Sequence, residues 1–327
     1  MRFKEWKCGR YSPTLDAICD ALKKWHSERT GRYIRKEEGE AEFRRRVRES
    51  LSFSNYVDAD GVRHDTRVSV LTGKPIAKET EDAINGLLGG RRIADEVLAS
   101  LPEVKWARRE KRRVEREYAK RTGMTDTSEI DTPERKDLRE RILSELHPEG
   151  KCRYHGKEWP VVRENRLDIV LGLPASGKST LVVADLAERH GSRVCDTDDV
   201  KERLPEYAGG LGCDLVRMEA NRINGDALMS AARIRENVVY PVVGADAVSV
   251  AEVVKLARQI GYKVHLTFAK ADVGIAKGRA LARLIGKGRF TEPTFFAKAA
   301  EGSERTFRRL AKYADSATVK VTYRRGA

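Results

Sequence analysis

Cysteine is scarce and never clustered. The 327-residue chain carries five (Cys8, Cys19, Cys152, Cys195, Cys213), an odd number, widely separated and without a Cys-x-x-Cys pair. This pattern argues against a disulfide framework and a zinc site, and it fits a reducing, cytoplasmic compartment. No apolar run approaches the length of about 18 residues that a membrane-spanning helix requires. The first residues, MRFKEWKCGRYSPTLD, are charged where a signal peptide needs an apolar core, so no secretory leader is expected there. The histidines lack ligand spacing, and His26, His64, His147 and His155 receive no role. No internal repeat or low-complexity tract is visible.

Charge is abundant. Charged residues make up 35% of the chain and hydrophobic ones 40%, with mean hydropathy −0.57. That is polar for a globular protein but too apolar for a wholly disordered one. The net charge is +14 and the pI near 9.6, which favours anionic partners without choosing among them. Residues 1–150 hold 33 Lys and Arg against 29 Asp and Glu, whereas residues 151–327 hold 31 against 21, so most of the basic excess lies in the second half.

Residues 1–150 read as a mainly helical, basic accessory region. Leu15, Ile18, Cys19, Leu22 and Trp25 form an amphipathic stripe over 14–29, and a second helix is expected over 37–50. Residues 53–75, with Asp60-Gly61 and Gly73-Lys74-Pro75, predict a hairpin or an irregular loop. Helical signal returns over 79–99, interrupted at Gly86 and Gly89-Gly90, then over 103–121 and 134–146. The 103–121 helix places eight bases between Arg108 and Arg121 against three acids, a pattern open to nucleic acid or an antitoxin but also normal for a solvated helix. His147-Pro148-Glu149-Gly150 marks the expected boundary. Beyond it, residues 151–327 alternate short apolar runs with helical segments. The expected strands are 167–171, 193–196, 238–243, 262–268 and 317–323, which predicts an α/β domain: a five-stranded parallel sheet, the first strand central, with helices on both faces.

Three groups of residues carry chemistry. Gly172-Leu-Pro-Ala-Ser-Gly-Lys-Ser179 matches the phosphate-loop pattern G-x-x-x-x-G-K-[ST] in full, after a strand and opening a helix. Backbone N–H groups of such a loop and the helix N-terminus cradle phosphate oxygens. Gly172, Pro174, Ala175, Ser176, Gly177, Lys178, Ser179 and Thr180 are therefore the nucleotide-binding candidates, with Lys178 on the β- and γ-phosphates and Ser179 on Mg²⁺. Next, Asp196-Thr-Asp198-Asp199 sits at the carboxyl end of the second strand, where open α/β sheets bind ligands. Since the third strand has no acid, this cluster is the source of both a metal-side carboxylate and an acceptor-side one; helix capping is the competing reading. Last, Arg279 and Arg283 share one helix face, and a turn with Gly286 and Gly288 carries Lys287 and Arg289, a basic lid suited to the charge of a moving phosphoryl group.

Together these segments resemble the zeta-toxin family of P-loop kinases over roughly residues 160–323. The resemblance implies ATP and Mg²⁺ as cofactors and a toxin that phosphorylates a hydroxyl of a nucleotide-type metabolite, a UDP-N-acetylamino sugar in many members and NAD in related branches. It implies an antitoxin protein as partner, and it makes Asp198 the base for the acceptor hydroxyl. Lys178, Ser179, Arg279, Arg283 and Arg289 would then hold ATP, Mg²⁺ and the phosphoryl group, with Asp196 on the metal side. The family usually carries a Glu-Gly-Thr-Gly-Arg-like segment after the third strand. Here the equivalent run is Tyr240-Pro-Val-Val-Gly-Ala-Asp246, without the Glu or the Arg, which implies an altered acceptor. Ala175 also stands where such loops often have glycine. Two other classes remain open at this point: an ATP-dependent nucleic-acid-associated protein using the basic first half, and a nucleotide-binding interaction protein without phosphotransfer. No membrane partner is expected.

Overall fold

The computed structural model describes residues 72–322, together with Ser69 and the backbone of two short strands, β1 (Asn55–Val57) and β2 (Arg63–Asp65). The helices expected over 14–29 and 37–50 lie outside the described residues. β1 and β2 pair antiparallel with Tyr56 opposite His64, the hairpin alternative of the sequence reading.

Four helices follow: α1 (Lys78–Leu88), α2 (Asp95–Ser100), α3 (Pro102–Thr122) and α4 (Pro133–Leu146). α1 runs through Gly86 and stops only at Gly89. The absent side chain at Gly86 makes room for Arg91, whose Cδ would lie 3.1 Å from an added Cβ. α3 opens with Pro102 at its first position, where the missing N–H has no helical partner to lose, and ends at left-handed Gly123.

The second half is built on five parallel strands: β5 (Arg166–Gly172), β6 (Arg193–Val194), β7 (Val238–Val242), β8 (Lys263–Lys270) and β9 (Ser316–Val321). They pair in the order β6-β7-β5-β8-β9, so β5 is central. Alternation along β5 sorts its side chains between two cores. Leu167, Ile169 and Leu171 face α7 (Arg217–Arg233), α8 (Ala247–Gln259) and α10 (Phe295–Leu310). Val170 faces the other way, towards α5 (Ala184–Arg189), which continues a π-type turn over Ser179–Val183.

That second face also carries an antiparallel hairpin, β3 (Lys151–Tyr154) and β4 (Lys157–Pro160), just after the expected boundary, where the sequence reading assigned no element. Its two-residue turn, His155-Gly156, has φ of +48° and +72°, the mirror-image geometry that suits the twist of paired strands. Cys152, Tyr154 and Trp159 point from it into the core beside Val170, Val182 and Val194.

The first half does not stand apart from this sheet. Ile84, Leu87, Leu98 and Val104 form one apolar cluster with Leu281, Leu284 and Ile285 of α9 (Val273–Lys287). Gly278 lets α9 approach α1 closely, since a Cβ there would lie 3.0 Å from that of Leu87. α4 packs Ile142 and Leu146 against Val200 and Leu204 of α6 (Thr197–Arg203) and its flank, and against Val216 and Ile223. Beside it Arg135 and Arg139 close on fully buried Glu219.

Candidate active site

The phosphate loop leaves β5 at Gly172, turns through Leu173–Ser176 and enters the helical turn at Ser179. Gly177 takes φ +81°, and a Cβ there would come within 3.3 Å of Arg279 Nη1, so glycine at this point lets the guanidinium approach the loop. Ala175 takes φ +55° and is buried. That left-handed conformation favours glycine, so the alanine is under local strain of about 1–2 kcal/mol rather than at an indifferent position. Lys178 Nζ donates to the carbonyls of Gly172 (3.0 Å) and Val242 (3.1 Å), which draws its chain across the mouth of the loop. Burial pushes the Lys178 amine down to about 8; Asp196 and Asp198 oppose that, while Arg289 and Arg283 add to it. Ser176 Oγ is buried with no hydrogen-bond partner in this loop. Thr180 is exposed.

β6 ends two residues before the acidic cluster. Asp196 caps α6, its Oδ1 accepting the Asp198 N–H at 3.0 Å, so the capping reading holds for this residue. Its Oδ2 accepts from the Tyr154 hydroxyl at 3.1 Å. Capping thus engages one carboxylate oxygen and the phenol the other. Asp198 is different. It is 41% exposed, ion-paired with Arg289, and 3.3 Å from Lys201 Nζ. Burial alone would raise its pKa, but Arg289, Lys201 and Lys178 together hold the carboxyl well below the usual range. Asp196 is raised, first by burial and then by the charge of Asp198. Asp199 is pushed up to about 8 by burial, Asp196 and Glu202. Asn224, buried on α7, braces this turn through Cys195 O (3.2 Å) and Thr197 Oγ1 (3.1 Å).

The lid differs in one respect from the expectation. α9 runs through Gly286, which is buried in the helix, and the chain turns only at left-handed Gly288. Packing of Leu281, Leu284 and Ile285 on α1–α3 outweighs glycine's poor helix propensity. Arg289 then leaves the turn towards Asp198. The turn is pressed by Gly210, where a Cβ would lie 2.7 Å from Arg289 Cα. Arg279 and Arg283 lie half-buried along α9, the former at Gly177 and the latter acting on Lys178. Every named site segment thus reaches one region, at the carboxyl ends of β5 and β6.

Sequence reasoning missed Tyr154, Lys201 and Asn224. The alternation Cys152, Tyr154 around an x-Gly turn signals the hairpin, but nothing local signals where the phenol points. The basic face of α3 is partly neutralised: Arg108 pairs with Glu292, Lys111 with Asp214, and Arg113 with Glu110 and Glu117. Among the described residues no helix is long and apolar enough to cross a membrane.

Of the known proteins compared, one solved structure is a chain from the PezAT chromosomal toxin–antitoxin system of the human pathogen Streptococcus pneumoniae. It is 14% identical, and the likeness covers 60% of this chain and 80% of that one at a TM-score of 0.48. No curated protein matches. A family model described as Zeta toxin matches residues 156–327, more than half of the chain. The chain belongs to the zeta toxin family.

Proposed function

We propose that this protein is an ATP-dependent kinase that phosphorylates a hydroxyl group of a nucleotide-type metabolite. One observation carries the reading: an accessible carboxylate, Asp198, is held between Arg289 and Lys201 within the electrostatic reach of the phosphate-loop lysine. Pure nucleotide binding has no use for such a carboxylate, whereas phosphoryl transfer needs one beside the acceptor.

In this reading the backbone of Gly172–Thr180 cradles the nucleotide phosphates, and the unpartnered Ser176 hydroxyl is an internal donor free to join them. Lys178 releases its two carbonyls to contact the β- and γ-phosphates. Asp198 accepts the acceptor hydroxyl's hydrogen bond and then its proton as the γ-phosphoryl moves from ATP to that oxygen and ADP leaves. Arg279, Arg283 and Arg289 face the charge that spreads over the transferring oxygens. Because Asp198 is a weak base while Arg289 grips it, alignment of the hydroxyl is its main task and proton transfer comes late.

The donor set suits Mg²⁺. Ser179 and Asp196 are hard oxygen donors, and among the described residues no three His, Cys, Asp or Glu side chains converge to hold a metal alone. A cation here would share its remaining positions with phosphate oxygens and water, as Mg²⁺ commonly does, and would supply neutralisation of the phosphates.

The acceptor is nucleotide-like but altered from a UDP-N-acetylamino sugar, NAD being one alternative. The β7–α8 turn lacks the expected Glu, and its one acid is committed: Asp246 caps α8 through Val248 N–H (3.0 Å) and holds Ser249. Ser303 fixes the same turn through Val243 O at 2.6 Å. Incubating the protein with ATP, Mg²⁺ and a metabolite extract should yield one metabolite heavier by about 80 Da, the mass of one added phosphoryl group. No such product from any nucleotide-containing fraction would refute the kinase reading. Family membership further supports a toxin neutralised by an antitoxin protein. Growth arrest on expression, relieved by Asp198→Asn, tests that part.

A further inference from the structure

Tyr154 lies outside the phosphate loop, the acidic turn and the lid, yet its hydroxyl reaches the acidic turn. The residue is 3% exposed, on β3, with its ring edge-on to His155 at 4.1 Å between centroids. Its position is set by the hairpin, whose Cys152 and Trp159 anchor in the same core as Val182 and Val183 of the helix that follows the loop. A tyrosine hydroxyl has one proton and accepts through its oxygen. The proton goes to Asp196 Oδ2 at 3.1 Å. Asp196 Oδ1 is already engaged by the Asp198 N–H at 3.0 Å.

This directionality has a chemical consequence. A carboxylate serves a cation best when its rotation is fixed by further hydrogen bonds. Tyr154 and the Asp198 N–H supply one such bond to each oxygen of Asp196. We propose that Tyr154 is a positioning residue for the divalent cation, orienting the Asp196 carboxylate so that a remaining lone pair serves the ion. The proposal rests on the kinase reading, in which Ser179 and Asp196 are the protein's metal ligands.

The test uses the full chain and Mn²⁺ as a spectroscopic probe. Mn²⁺ binding is followed by electron paramagnetic resonance in the presence of ADP, and ADP affinity is measured separately in EDTA. Tyr154→Phe keeps the buried ring and removes the hydroxyl. Its Mn²⁺ affinity in the nucleotide complex should fall by about 10–100-fold, the usual loss for a residue that orients a metal ligand, while ADP affinity in EDTA stays within about twofold. The apparent KM for Mg²⁺ should rise, with kcat at saturating Mg²⁺ little changed. In an Asp196→Asn background, loss of the hydroxyl should cost much less than it does alone, because the two act through one site. Wild-type Mn²⁺ affinity in Tyr154→Phe, or fully additive losses in the double variant, overturns the proposal. Should the phenylalanine variant fail to fold, 3-fluorotyrosine at position 154 keeps the bond to Asp196 with a more acidic donor, and Mn²⁺ affinity unchanged by it overturns the proposal equally. A wild-type protein whose ADP binding is indifferent to Mn²⁺ refutes the underlying kinase reading instead, so the two failures are distinct.

Discussion

One arginine–carboxylate constellation ties α4 to α7 and another is centred on Asp198 of α6, and they differ in how completely their bonding capacity is used. In the first, Arg135 grips Glu219 through Nε (2.8 Å) and Nη2 (2.5 Å), and reaches Glu206 at 3.0 and 2.9 Å. Arg139 adds Glu219 at 2.7 Å and the Ile130 carbonyl at 2.7 Å. Glu219 is fully buried, and the network ties α4 to α7. In the second, Asp198 is 41% exposed and shared by Arg289 and Lys201, with further positive charge from Lys178 nearby. One constellation is closed; the other holds a surplus of cation around an accessible anion. Closed networks fix a structure because every partner would be orphaned by its loss. A site with excess charge and open access is suited to an incoming phosphate.

The largest effect should come from the open cluster. Asp198→Asn keeps size but loses the charge that aligns the acceptor hydroxyl and cannot take its proton, so kcat should fall by about 10²–10⁴-fold while ATP affinity changes little. Wild-type turnover in steady-state assays would leave a nucleotide-binding module as the better description. In the closed cluster, Glu219→Gln should lower stability by about 3–5 kcal/mol, because Arg139 loses its carboxylate partner and Arg135 keeps only Glu206. Denaturant unfolding checks this, and turnover per folded molecule should survive. If Glu219→Gln instead abolished turnover without loss of stability, the contrast between the clusters would fail.

Lys178→Ala should reduce phosphotransfer by about 10²-fold or more, with the fold retained, because the lysine's partners are loop carbonyls rather than a core network. Turnover equal to wild type would sink the phosphate-loop assignment. The smallest expected effect concerns pH. Asp199 has its folded pKa raised to about 8, well above the value of about 3.9 for an unperturbed aspartate. Between those values the folded state keeps a proton that the unfolded state releases, so this residue's stabilising contribution is full at low pH and is lost as pH rises through 8. Asp199→Asn should match wild type in Tm near pH 4 and exceed it by about 2–4 °C at pH 9, as followed by calorimetry. A difference independent of pH would remove the charge explanation.

The sheet and the phosphate loop were legible because their signals are local. Period-two and period-3.6 patterns, glycine at the turn and a lysine next to a hydroxyl residue depend on neighbours a few positions away. The strands expected at 167–171, 193–196, 238–243, 262–268 and 317–323 all lie in the parallel sheet, with the first at its centre. Gly286 read as a turn because glycine is a weak helix former, and only the apolar face of α9 against α1–α3 shows why the helix persists. Ala175 read only as an alanine where such loops often have glycine, and its φ of +55° reveals the strain.

What the sequence determined by itself was therefore the doubly covered parallel sheet, the loop that meets phosphate, and the acids and arginines available near it. Tertiary structure alone decided which charges meet: Arg289 with Asp198 across 91 positions, Arg135 with Glu219 across 84, and Tyr154 with Asp196 across 42. Those pairings depend on how distant elements pack. A linear pattern records which face of each element is apolar, but not which polar group of another element will lie against it.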